Sequence, residues 1–457
     1  MRTWSQRKVL VLGLGESGLS MLRWLHGQGA LLTAADSRAN PPNVTDAAAC
    51  TVNGKVACGP FSDDLFADID CIAISPGVPL RDPHVARALA RGVEVVGDIE
   101  LLARSLPAST PVLAITGANG KTTVTTLVTH LCCAAGLDAV AAGNISPAVL
   151  DVVLQRGARQ PALWVLELSS FQLETTSSLR CAAATVLNVT EDHMDRYDGM
   201  DDYAAAKARI FAHAVVQVLN RDDGYSMNMR RDGAQVVSFG LETPPPTAQD
   251  FGIERAADGL WLVRGTQRLL PASALQLTGL HNVANALAAL ALCTAAGLPL
   301  EKLLPALTTF KGLPHRVEYV TTVNGVRYYD DSKGTNVGAT VAALQGLGLP
   351  VVLIAGGDGK GQDFSPLCPV VTQHARAVLL IGRDGPRLAD TLRDCGVPLH
   401  FAADLPAAVQ HAAALAQPGE AVLLSPACAS LDMFRNYAHR AEVFIAAVRQ
   451  LPGASDA

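Results

Sequence analysis

The stretch Ala114-Ile-Thr-Gly-Ala-Asn-Gly-Lys-Thr-Thr123 decides the fold of the middle of this chain. An apolar run from Pro111 to Ile115 predicts a strand, a glycine-rich loop follows, and the lysine and threonines begin a helix. Backbone N–H groups of such a loop, together with the positive end of the helix, bind phosphate. Ile115 occupies the first glycine position of the usual G-x-x-x-x-G-K-[ST] pattern. The stretch therefore predicts a distinct branch of ATP-binding proteins; an ordinary glycine turn before a core helix is the alternative.

Length and composition indicate a multidomain enzyme. At about 150 residues per domain, a chain of 457 residues predicts three domains, each with its own core. The formal net charge of -6 gives no basic surface for nucleic acid. Ten cysteines without a C-x-x-C pair argue against structural zinc and fit a reducing cytoplasm. We expect no signal peptide, because the apolar run Val9 to Leu12 leads straight into Gly13. We expect no membrane span, because the apolar segment Val283 to Leu300 is Ala-rich and predicts a buried helix.

The first block carries a second glycine pattern, Gly13-Leu-Gly-Glu-Ser-Gly18, between a predicted strand from Lys8 and a predicted helix. A second predicted strand ends in Asp36, at about the spacing at which dinucleotide folds bind ribose. This pattern indicates that the pyrophosphate or base of a nucleotide can approach the backbone. It does not specify hydride transfer, so an NAD-dependent oxidoreductase and another nucleotide-binding enzyme both remain open.

In the middle block, two apolar strands lead into polar residues. The strand from Leu163 ends at Glu167, and a carboxylate there can order a metal beside a phosphate loop. The strand from 182 to 187 leads into a polar segment containing His193, which with Glu167 offers mixed N/O ligation. An exposed strand-end charge and a solvated loop are the respective alternatives. Lys207 falls in a predicted helix, 203–211, where a surface cation is the default.

The third block begins at Gly312, and its rhythm of strands and helical stretches predicts βαβ units and a parallel sheet. Apolar strands are expected near Val326, Val351, Val378, Leu399 and Val422. Polar and glycine residues after these strands, 330–333, 356–360 and 425–428, would line one edge of the sheet. The chain is therefore predicted to be α/β with three domains, 1–108, 109–311 and 312–457, each a mainly parallel sheet with flanking helices.

Taken in order with the phosphate loop, five further segments closely resemble the Mur ligases of peptidoglycan synthesis, across essentially the whole chain. They are Glu167–Gln172, Asn188–Asp195, His281–Asn285, Asp331–Asn336 and Leu424–Ser430. The loop Thr116–Thr122 is similar to that superfamily's shortened version, which folylpolyglutamate synthetase shares. The resemblance implies a Rossmann-like uridine-nucleotide domain, a P-loop central ATPase domain and a Rossmann-like C-terminal domain for the incoming amino acid.

The same resemblance implies an ATP-dependent amide ligase that adds D-glutamate to UDP-N-acetylmuramoyl-L-alanine through an acyl phosphate. It implies ATP and Mg²⁺ as cofactors, and a cytoplasmic monomer without nucleic-acid or membrane partners. The alternatives are an L-glutamate-adding variant, another Mur ligase, a folylpolyglutamate synthetase, a P-loop regulatory protein and an NAD-dependent oxidoreductase. Residue types do not determine the stereochemistry of the amino acid.

Site residues follow from the resemblance, position by position. ATP contacts are assigned to Gly117, Ala118, Asn119, Gly120, Lys121, Thr122, Thr123, Asn282, Asn285, Arg316 and Asp331. The UDP substrate is assigned to Glu16, Ser17, Asp36, Ser37, Arg38, Ser75, Gly77, Asn144 and His193. Glu16 stands where an apolar residue is more usual.

The remaining assignments concern glutamate, metal and catalysis. Glutamate recognition is assigned to Lys333, Thr335, Lys360, Ser430, Leu431 and Tyr437, the last standing where phenylalanine is usual. Metal binding is assigned to Thr122, Glu167, His193 and Lys207, with Lys207 similar to the family's carbamylated lysine. The catalytic set is Lys121, Glu167, His193, Lys207 and Lys333. These residues would position substrates and spread developing charge.

Overall fold

The structure is a computed structural model that describes residues 4–277 and 279–454. Its strands form three separate sheets of five, nine and six strands, each with helices packed against it. The prediction of three α/β domains is therefore confirmed. The sheets span residues 8–96, 112–271 and 318–424, within the predicted domains, whose end points at 108/109 and 311/312 stay predictions.

The first sheet is entirely parallel. Its strands are β1 (Lys8–Leu12), β2 (Leu31–Asp36), β3 (Val56–Cys58), β4 (Cys71–Ile74) and β5 (Glu94–Val96). Its helices are α1 (Glu16–Gly27), α2 (Val44–Cys50), α3 (Pro83–Ala90) and α4 (Asp98–Ser105). The strand order is β3-β2-β1-β4-β5. Helices cover both faces, so the central strand β1 is a continuous buried apolar run from Val9 to Leu12.

The second sheet is parallel except at one edge. Its strands are β6 (Val112–Thr116), β7 (Ala139–Gly143), β8 (Leu163–Glu167), β9 (Cys181–Val186), β10 (Ala214–Asn220), β11 (Gln235–Phe239), β12 (Phe251–Ala256), β13 (Gly259–Arg264) and β14 (Gln267–Pro271). Its helices are α5 (Lys121–Ala134), α6 (Val149–Arg156), α7 (Ser170–Glu174), α8 (Met200–Ala208), α9 (Gly224–Asn228), α10 (Leu280–Ala295) and α11 (Leu300–Leu307). The order is β14-β13-β12-β11-β10-β9-β6-β8-β7.

The antiparallel edge of this sheet, β12 to β14, was not predicted. Asp258-Gly259 joins β12 to β13, and an Asp-Gly pair between apolar runs is a strong hairpin signal. The phosphate loop leaves β6, which lies between β9 and β8, and the predicted strands of this block correspond to β6, β8 and β9.

The third sheet contains every predicted strand and one more. Its strands are β15 (Glu318–Val323), β16 (Val326–Asp330), β17 (Val351–Gly356), β18 (Ala375–Ile381), β19 (Leu399–Phe401) and β20 (Ala421–Leu424), in the order β15-β16-β20-β17-β18-β19. Its helices are α12 (Val337–Leu347), α13 (Leu367–His374), α14 (Gly385–Leu392), α15 (Leu405–Leu415) and α16 (Tyr437–Arg449). The unpredicted β15 pairs antiparallel with β16 through an Asn324-Gly325 turn, whereas the other pairs are parallel.

Short 3₁₀ turns complete the secondary structure, at Val52–Gly54, Asp63–Phe66, Arg209–Phe211 and Ala272–Ala274. The predicted buried helix after Val283 corresponds to α10, whose residues 286 to 293 are all fully buried. Within residues 4–277 and 279–454, none of the helices is long and apolar enough to cross a membrane.

The first two domains share one buried cluster, and each also has a cluster of its own. Trp24 of α1 and Leu102 of α4 belong to the same buried cluster as Val149 of α6 and Leu173 of α7. The third domain has its own two clusters, one on each face of its sheet. Since apolar burial is the main attractive term, the first two domains are held together more firmly than either is to the third.

Candidate active site between three domains

The phosphate loop is held in shape by its own glycine and by a distant asparagine. Gly120 has φ +82°, and a Cβ there would lie 2.7 Å from Asn285 Oδ1, so this position requires glycine. Asn188, directly after β9, accepts hydrogen bonds from the Ala118 and Asn119 amides at 2.9 and 2.8 Å. Its side-chain amide donates back to the Asn119 carbonyl at 3.1 Å. The loop is therefore braced before any ligand arrives.

Two lysines converge on one carbonyl of this loop. Lys121 Nζ donates to the carbonyls of Gly117 and Ala118 at 2.8 and 2.9 Å. Lys207 Nζ donates to the same Gly117 carbonyl at 2.9 Å and lies 4.4 Å from the Tyr203 ring centroid. Burial lowers the pKa of Lys121, and burial together with the Lys121 charge lowers the pKa of Lys207 well below its usual value. The surface-cation alternative for Lys207 is wrong, because its exposed fraction is 1%.

Glu167 ends β8 with a buried carboxylate, so the alternative of an exposed charge is also wrong. Asn144 Nδ2 donates to Glu167 Oε1 at 2.9 Å. The other oxygen, Oε2, is buried and has no hydrogen-bond partner in the part of the chain that the structure describes. A buried carboxylate oxygen is costly without a partner. This oxygen is therefore suited to a cation that enters the site.

His193 faces the same cavity from the segment after β9. Its backbone has φ +59°, and its ring centroid lies 4.8 Å from that of Phe171. Its Nε2 lies 3.5 Å from Asp192 Oδ2. Burial lowers the pKa of His193, so the imidazole is neutral near pH 7 and keeps a lone pair for a ligand.

Third-domain residues close over the loop. The Arg316 guanidinium donates to Thr122 Oγ1 at 2.8 Å, and Asn336 Nδ2 donates to Asn119 Oδ1 at 3.0 Å. Asp331 is buried, and burial raises its pKa to about 7 although Ser425 donates to its carboxyl group. The second and third domains thus meet directly at the predicted phosphate site.

Two cavities lie at this junction. One of about 270 Å³ is lined by Gly120, Asn282, Asn285, Arg316 and Asp331, among others. Thr123, also assigned to ATP, lines it too. This cavity unites the phosphate loop with the residues assigned to adenine and with those assigned to closure from the third domain.

The second cavity, of about 730 Å³, unites residues assigned to metal, sugar substrate and glutamate. Its lining includes Lys121, Thr122, Asn144, Glu167, His193, Lys333, Thr335, Lys360 and Tyr437. Lys333 Nζ lies 3.9 Å from the Tyr437 ring centroid, and burial lowers the pKa of Lys333 to about 8. Lys360 Nζ lies 4.0 Å from Asp192 Oδ1. Cations from the third domain therefore face acidic groups of the second.

Two residues assigned to glutamate lie outside the lining of this cavity. Ser430 is buried, and its carbonyl accepts the Phe434 amide at 2.8 Å. The neighbouring Leu431 side chain is 72% exposed. Both lie in the segment after β20, and their assignments stay predictions.

The residues assigned to the uridine nucleotide lie at the carboxyl ends of β1, β2 and β4. Asp36 accepts the Leu14 amide at 2.7 Å and three N–H groups of Arg38, whose guanidinium lowers the pKa of Asp36 to about 2. Ser75 Oγ donates to the Gly13 carbonyl at 2.9 Å. Ser37 and Gly77 are exposed beside them.

A contact joins this edge to the second cavity. Ser146 Oγ donates to the Glu16 carboxylate at 2.9 Å, and Ser146 lines the second cavity with Asn144. Ser17 is half-buried next to Glu16. The assigned nucleotide residues and the assigned sugar-side residues therefore lie along one continuous surface.

Sequence reasoning gave no individual role to several residues of the site. Asn188 braces the phosphate loop, and Asn336 joins the third domain to it. Ser146, Asp192 and His315 line the second, larger cavity. The position of Asn188 directly after an apolar strand was a usable signal, since ligands bind at carboxyl ends of parallel strands. His315, whose Nδ1 lies 2.7 Å from Asp330 Oδ2, carried no such signal.

Comparisons with known proteins agree along the chain. Profiles of the MurD-like N-terminal domain, the Mur ligase middle domain and the Mur ligase glutamate ligase domain match residues 7–97, 115–293 and 315–428. The chain is 56% identical over 462 residues to the UDP-N-acetylmuramoylalanine–D-glutamate ligase of Aromatoleum aromaticum, with 99% of each chain covered. It is 57% identical over 446 residues to the protein of that name from Methylobacillus flagellatus, with 97% of each covered.

Solved structures share the fold at lower identity. MurF from Acinetobacter baumannii matches with a TM-score of 0.60 and 16% identity, covering 98% of this chain and 92% of that one. The UDP-N-acetylmuramate-alanine ligase of Thermotoga maritima matches with a TM-score of 0.59 and 19% identity, covering 96% and 99%. At these identities the likeness concerns the fold alone.

Proposed function

The chain belongs to the Mur ligase family of ATP-dependent peptidoglycan precursor ligases, and we propose that it adds D-glutamate to UDP-N-acetylmuramoyl-L-alanine. Relatives more than half identical over nearly the whole chain carry that activity in their names. The supporting observation is the larger cavity, in which the phosphate loop, the buried carboxylate Glu167 and the cations Lys333 and Lys360 face one another. A nucleotide, a divalent cation and a dicarboxylate amino acid each find suitable chemistry there.

The proposed reaction joins a carboxylate to an amine. The alanyl carboxylate attacks the γ-phosphorus of ATP, and an acyl phosphate forms as ADP leaves. The glutamate amine then attacks the acyl carbon, the amine loses a proton, and inorganic phosphate leaves as the amide forms. No protein nucleophile is needed, so the contribution of the chain is to position reactants and stabilise charge.

Cations around the loop support this role. Lys121 and Arg316 lie beside the loop, one from each of two domains, and Lys333 faces the same space. Each would stabilise negative charge that moves from the γ-phosphate to the leaving group. Closure of the third domain onto the loop, through Asn336 and Arg316, would also exclude water that hydrolyses an acyl phosphate.

The donor set fits a divalent cation. Glu167 offers a buried oxygen that lacks a partner within residues 4–277 and 279–454, and His193 offers a neutral imidazole in the same cavity. Thr122 would supply a hydroxyl oxygen from the start of α5. When bound, Mg²⁺ would neutralise phosphate charge.

Lys207 has the environment that carbamylation requires. Only a neutral amine reacts with CO₂, and burial next to Lys121 favours the neutral amine of Lys207. The nitrogen of the neutral amine would bond to the carbon of CO₂ and release one proton, which leaves a carbamate with anionic oxygen atoms as ligands. We propose this modification for Lys207 as a further ligand of the cation.

An ADP-release assay tests the proposal. ADP formation should require both UDP-N-acetylmuramoyl-L-alanine and D-glutamate, whereas L-glutamate, L-alanine and diaminopimelate should support little turnover. ADP release with L-glutamate but not with D-glutamate would favour the L-glutamate-adding variant. ADP release without the UDP-sugar and without an amino acid would favour a P-loop regulatory ATPase. Titration with NADH, followed by fluorescence, should show no binding; saturable binding would favour the oxidoreductase. The cytoplasmic location and the monomeric state also belong to this proposal.

A further inference from the structure

Helix α4 carries two buried carboxylates from the first domain into the second. Asp98 and Glu100 have exposed fractions of 0% and 1%. Both accept hydrogen bonds from residues of the second domain, in or directly after α7. Burying a carboxylate is costly unless it is hydrogen-bonded. The two carboxylates lie two positions apart on one short helix and have different partners.

Asp98 of the first domain contacts the segment 167–172 of the second domain. Gln172 Nε2 donates to both of its oxygens, at 3.3 and 3.1 Å. The Ile99 amide donates to Asp98 at 2.9 Å, and the side chain of Ser17, in the first turn of α1, helps to lower the pKa of Asp98. Burial raises the pKa of Asp98 to about 6, and the Gln172 amide is the largest influence that opposes the rise.

Gln172 also forms hydrogen bonds with Ser169, close to Glu167 in the sequence. Its Oε1 accepts the Ser169 amide at 3.1 Å, and the Ser169 hydroxyl accepts the Gln172 amide at 3.2 Å. These reciprocal bonds form a capping box that fixes the start of α7. Ser169 is only two residues beyond Glu167, so these bonds fix the backbone close to the end of β8.

We propose that Asp98 is a positioning residue, which couples the start of α1 at Ser17 to the segment 167–172 through the Gln172 amide. The ligand identities rest on the proposed function: a UDP-sugar at the start of α1 and a divalent cation at Glu167. Because a loop that is already ordered costs less to bind, the coupling pre-organises the sugar-nucleotide site. It also holds the metal carboxylate at the correct depth in the cavity.

Glu100 provides a matched control on the same helix. It accepts the amides of Ser177 and Ser178 at 2.7 and 2.9 Å and is paired with Arg104 at 2.8 Å. These serines follow α7, at the end remote from Ser169. Glu100 therefore helps to hold the same two domains together without a direct contact to the segment 167–172.

The experiment compares Asp98→Ala, Asp98→Asn and Glu100→Ala in the full chain. Calorimetric titration with UDP-N-acetylmuramoyl-L-alanine, without ATP, should show binding weakened about tenfold in Asp98→Ala. The Mg²⁺ concentration for half-maximal ADP release should also rise about tenfold in that variant. Asp98→Asn keeps an acceptor oxygen and should recover most of both values. Glu100→Ala should lower the thermal midpoint yet leave both values within about twofold.

Gln172→Glu gives a second route to the same contact. It keeps an oxygen for the Ser169 amide but loses the donor to Asp98, so it should reproduce the pattern of Asp98→Ala even if the latter fails to fold. The inference is overturned if Asp98→Ala and Glu100→Ala lose affinity equally, or if Gln172→Glu has no effect. Failure of the proposed function would be seen separately, because the wild-type protein would then show no glutamate-dependent ADP release.

Discussion

The guanidinium of Arg316 donates a hydrogen bond of 2.8 Å to Thr122 Oγ1, joining residues 194 positions apart in the sequence. Arg316 lies just before β15 of the third domain, and Thr122 lies in the first turn of α5, directly behind the phosphate loop. Burial lowers the pKa of Arg316, while Glu167 and Asp331 oppose that shift. This contact defines a closed arrangement in which a third-domain cation reaches the predicted phosphate site.

Arg316→Ala should lower kcat by about a hundredfold, because a donor aimed at developing charge is worth that much in preorganised sites. ADP release at saturating substrates measures the change. Within residues 4–277 and 279–454, the exposed Arg393 pairs only with Asp390, three residues earlier, so Arg393→Ala is a control variant with unchanged turnover. Normal turnover in Arg316→Ala would show that the closed contact has no catalytic role.

Lys121→Ala should reduce ADP formation about a thousandfold, since no other group in the loop supplies a cation at that position. The Lys121 ammonium rests on two loop carbonyls in this structure and would turn toward phosphate when the nucleotide binds. Circular dichroism should show an intact fold. Lys302→Ala, at an exposed position of α11, should retain full activity; more than a trace of activity in Lys121→Ala contradicts the assignment.

Gly338→Ala should hinder closure of the third domain. A Cβ at Gly338, in α12, would lie 2.8 Å from Thr190 Oγ1 and 3.1 Å from Asn119 Nδ2, both in the second domain. Overpacking of this kind costs about 1 to 3 kcal/mol, so kcat should fall about tenfold or more. Small-angle scattering with bound nucleotide should report a more open molecule. Gly224→Ala, where a Cβ meets nothing within 4 Å, is the control.

Asp331→Asn should make the free protein more stable at pH 8. Asp331 keeps its proton up to about pH 7 in the folded protein, whereas the unfolded chain loses it near its ordinary pKa of 3.8. Between these values the folded state binds more protons, so this group lowers stability as the pH rises from about 4 to 7. Each pKa unit corresponds to about 1.4 kcal/mol.

Denaturant titrations of both proteins at pH 5 and pH 8 check this prediction. The advantage of Asp331→Asn over wild type should be larger at pH 8 than at pH 5, while its ADP release should be lower. An equal difference at the two pH values would mean that Asp331 titrates normally.

Tyr437→Leu should weaken glutamate binding, whereas Tyr437→Phe should not. The ring face of Tyr437 lies 3.9 Å from Lys333 Nζ, and a cation over an aromatic face is stabilised by about 1 kcal/mol. The Leu variant should therefore raise the KM for glutamate about fivefold at unchanged KM for ATP. A large effect of the Phe variant would instead give the hydroxyl group a direct role.

Much of the fold could be predicted from local pattern. The phosphate loop was recognisable because its glycines, lysine and threonines lie within ten consecutive residues. The buried parallel strands were recognisable as apolar runs. The strands β12 to β15 were missed although Asp258-Gly259 and Asn324-Gly325 carried hairpin signals. Their alternation is weak, since several of their residues are half-buried on both faces.

The site could be predicted only as a set of candidates. Residue types and strand ends indicated that Glu167 and His193 belong near the phosphate loop, and the family resemblance added Lys207 and the third-domain residues. The contacts that organise them were not predictable. Asn188 to Asn119 spans 69 positions and Gln172 to Asp98 spans 74, and no local pattern indicates which residue each of them meets.

By itself, the sequence determined the phosphate loop, several of the buried parallel strands and the membership of a family, because backbone preferences and apolar periodicity act over a few residues. Tertiary structure alone decided which distant groups meet and how they ionise. Lys207 reads as a surface cation in its helix but is buried against the Gly117 carbonyl, and Asp331 keeps a proton to about pH 7. Desolvation and charge pairing depend on the packing of elements that are distant in the sequence, so these properties exist only in the folded chain.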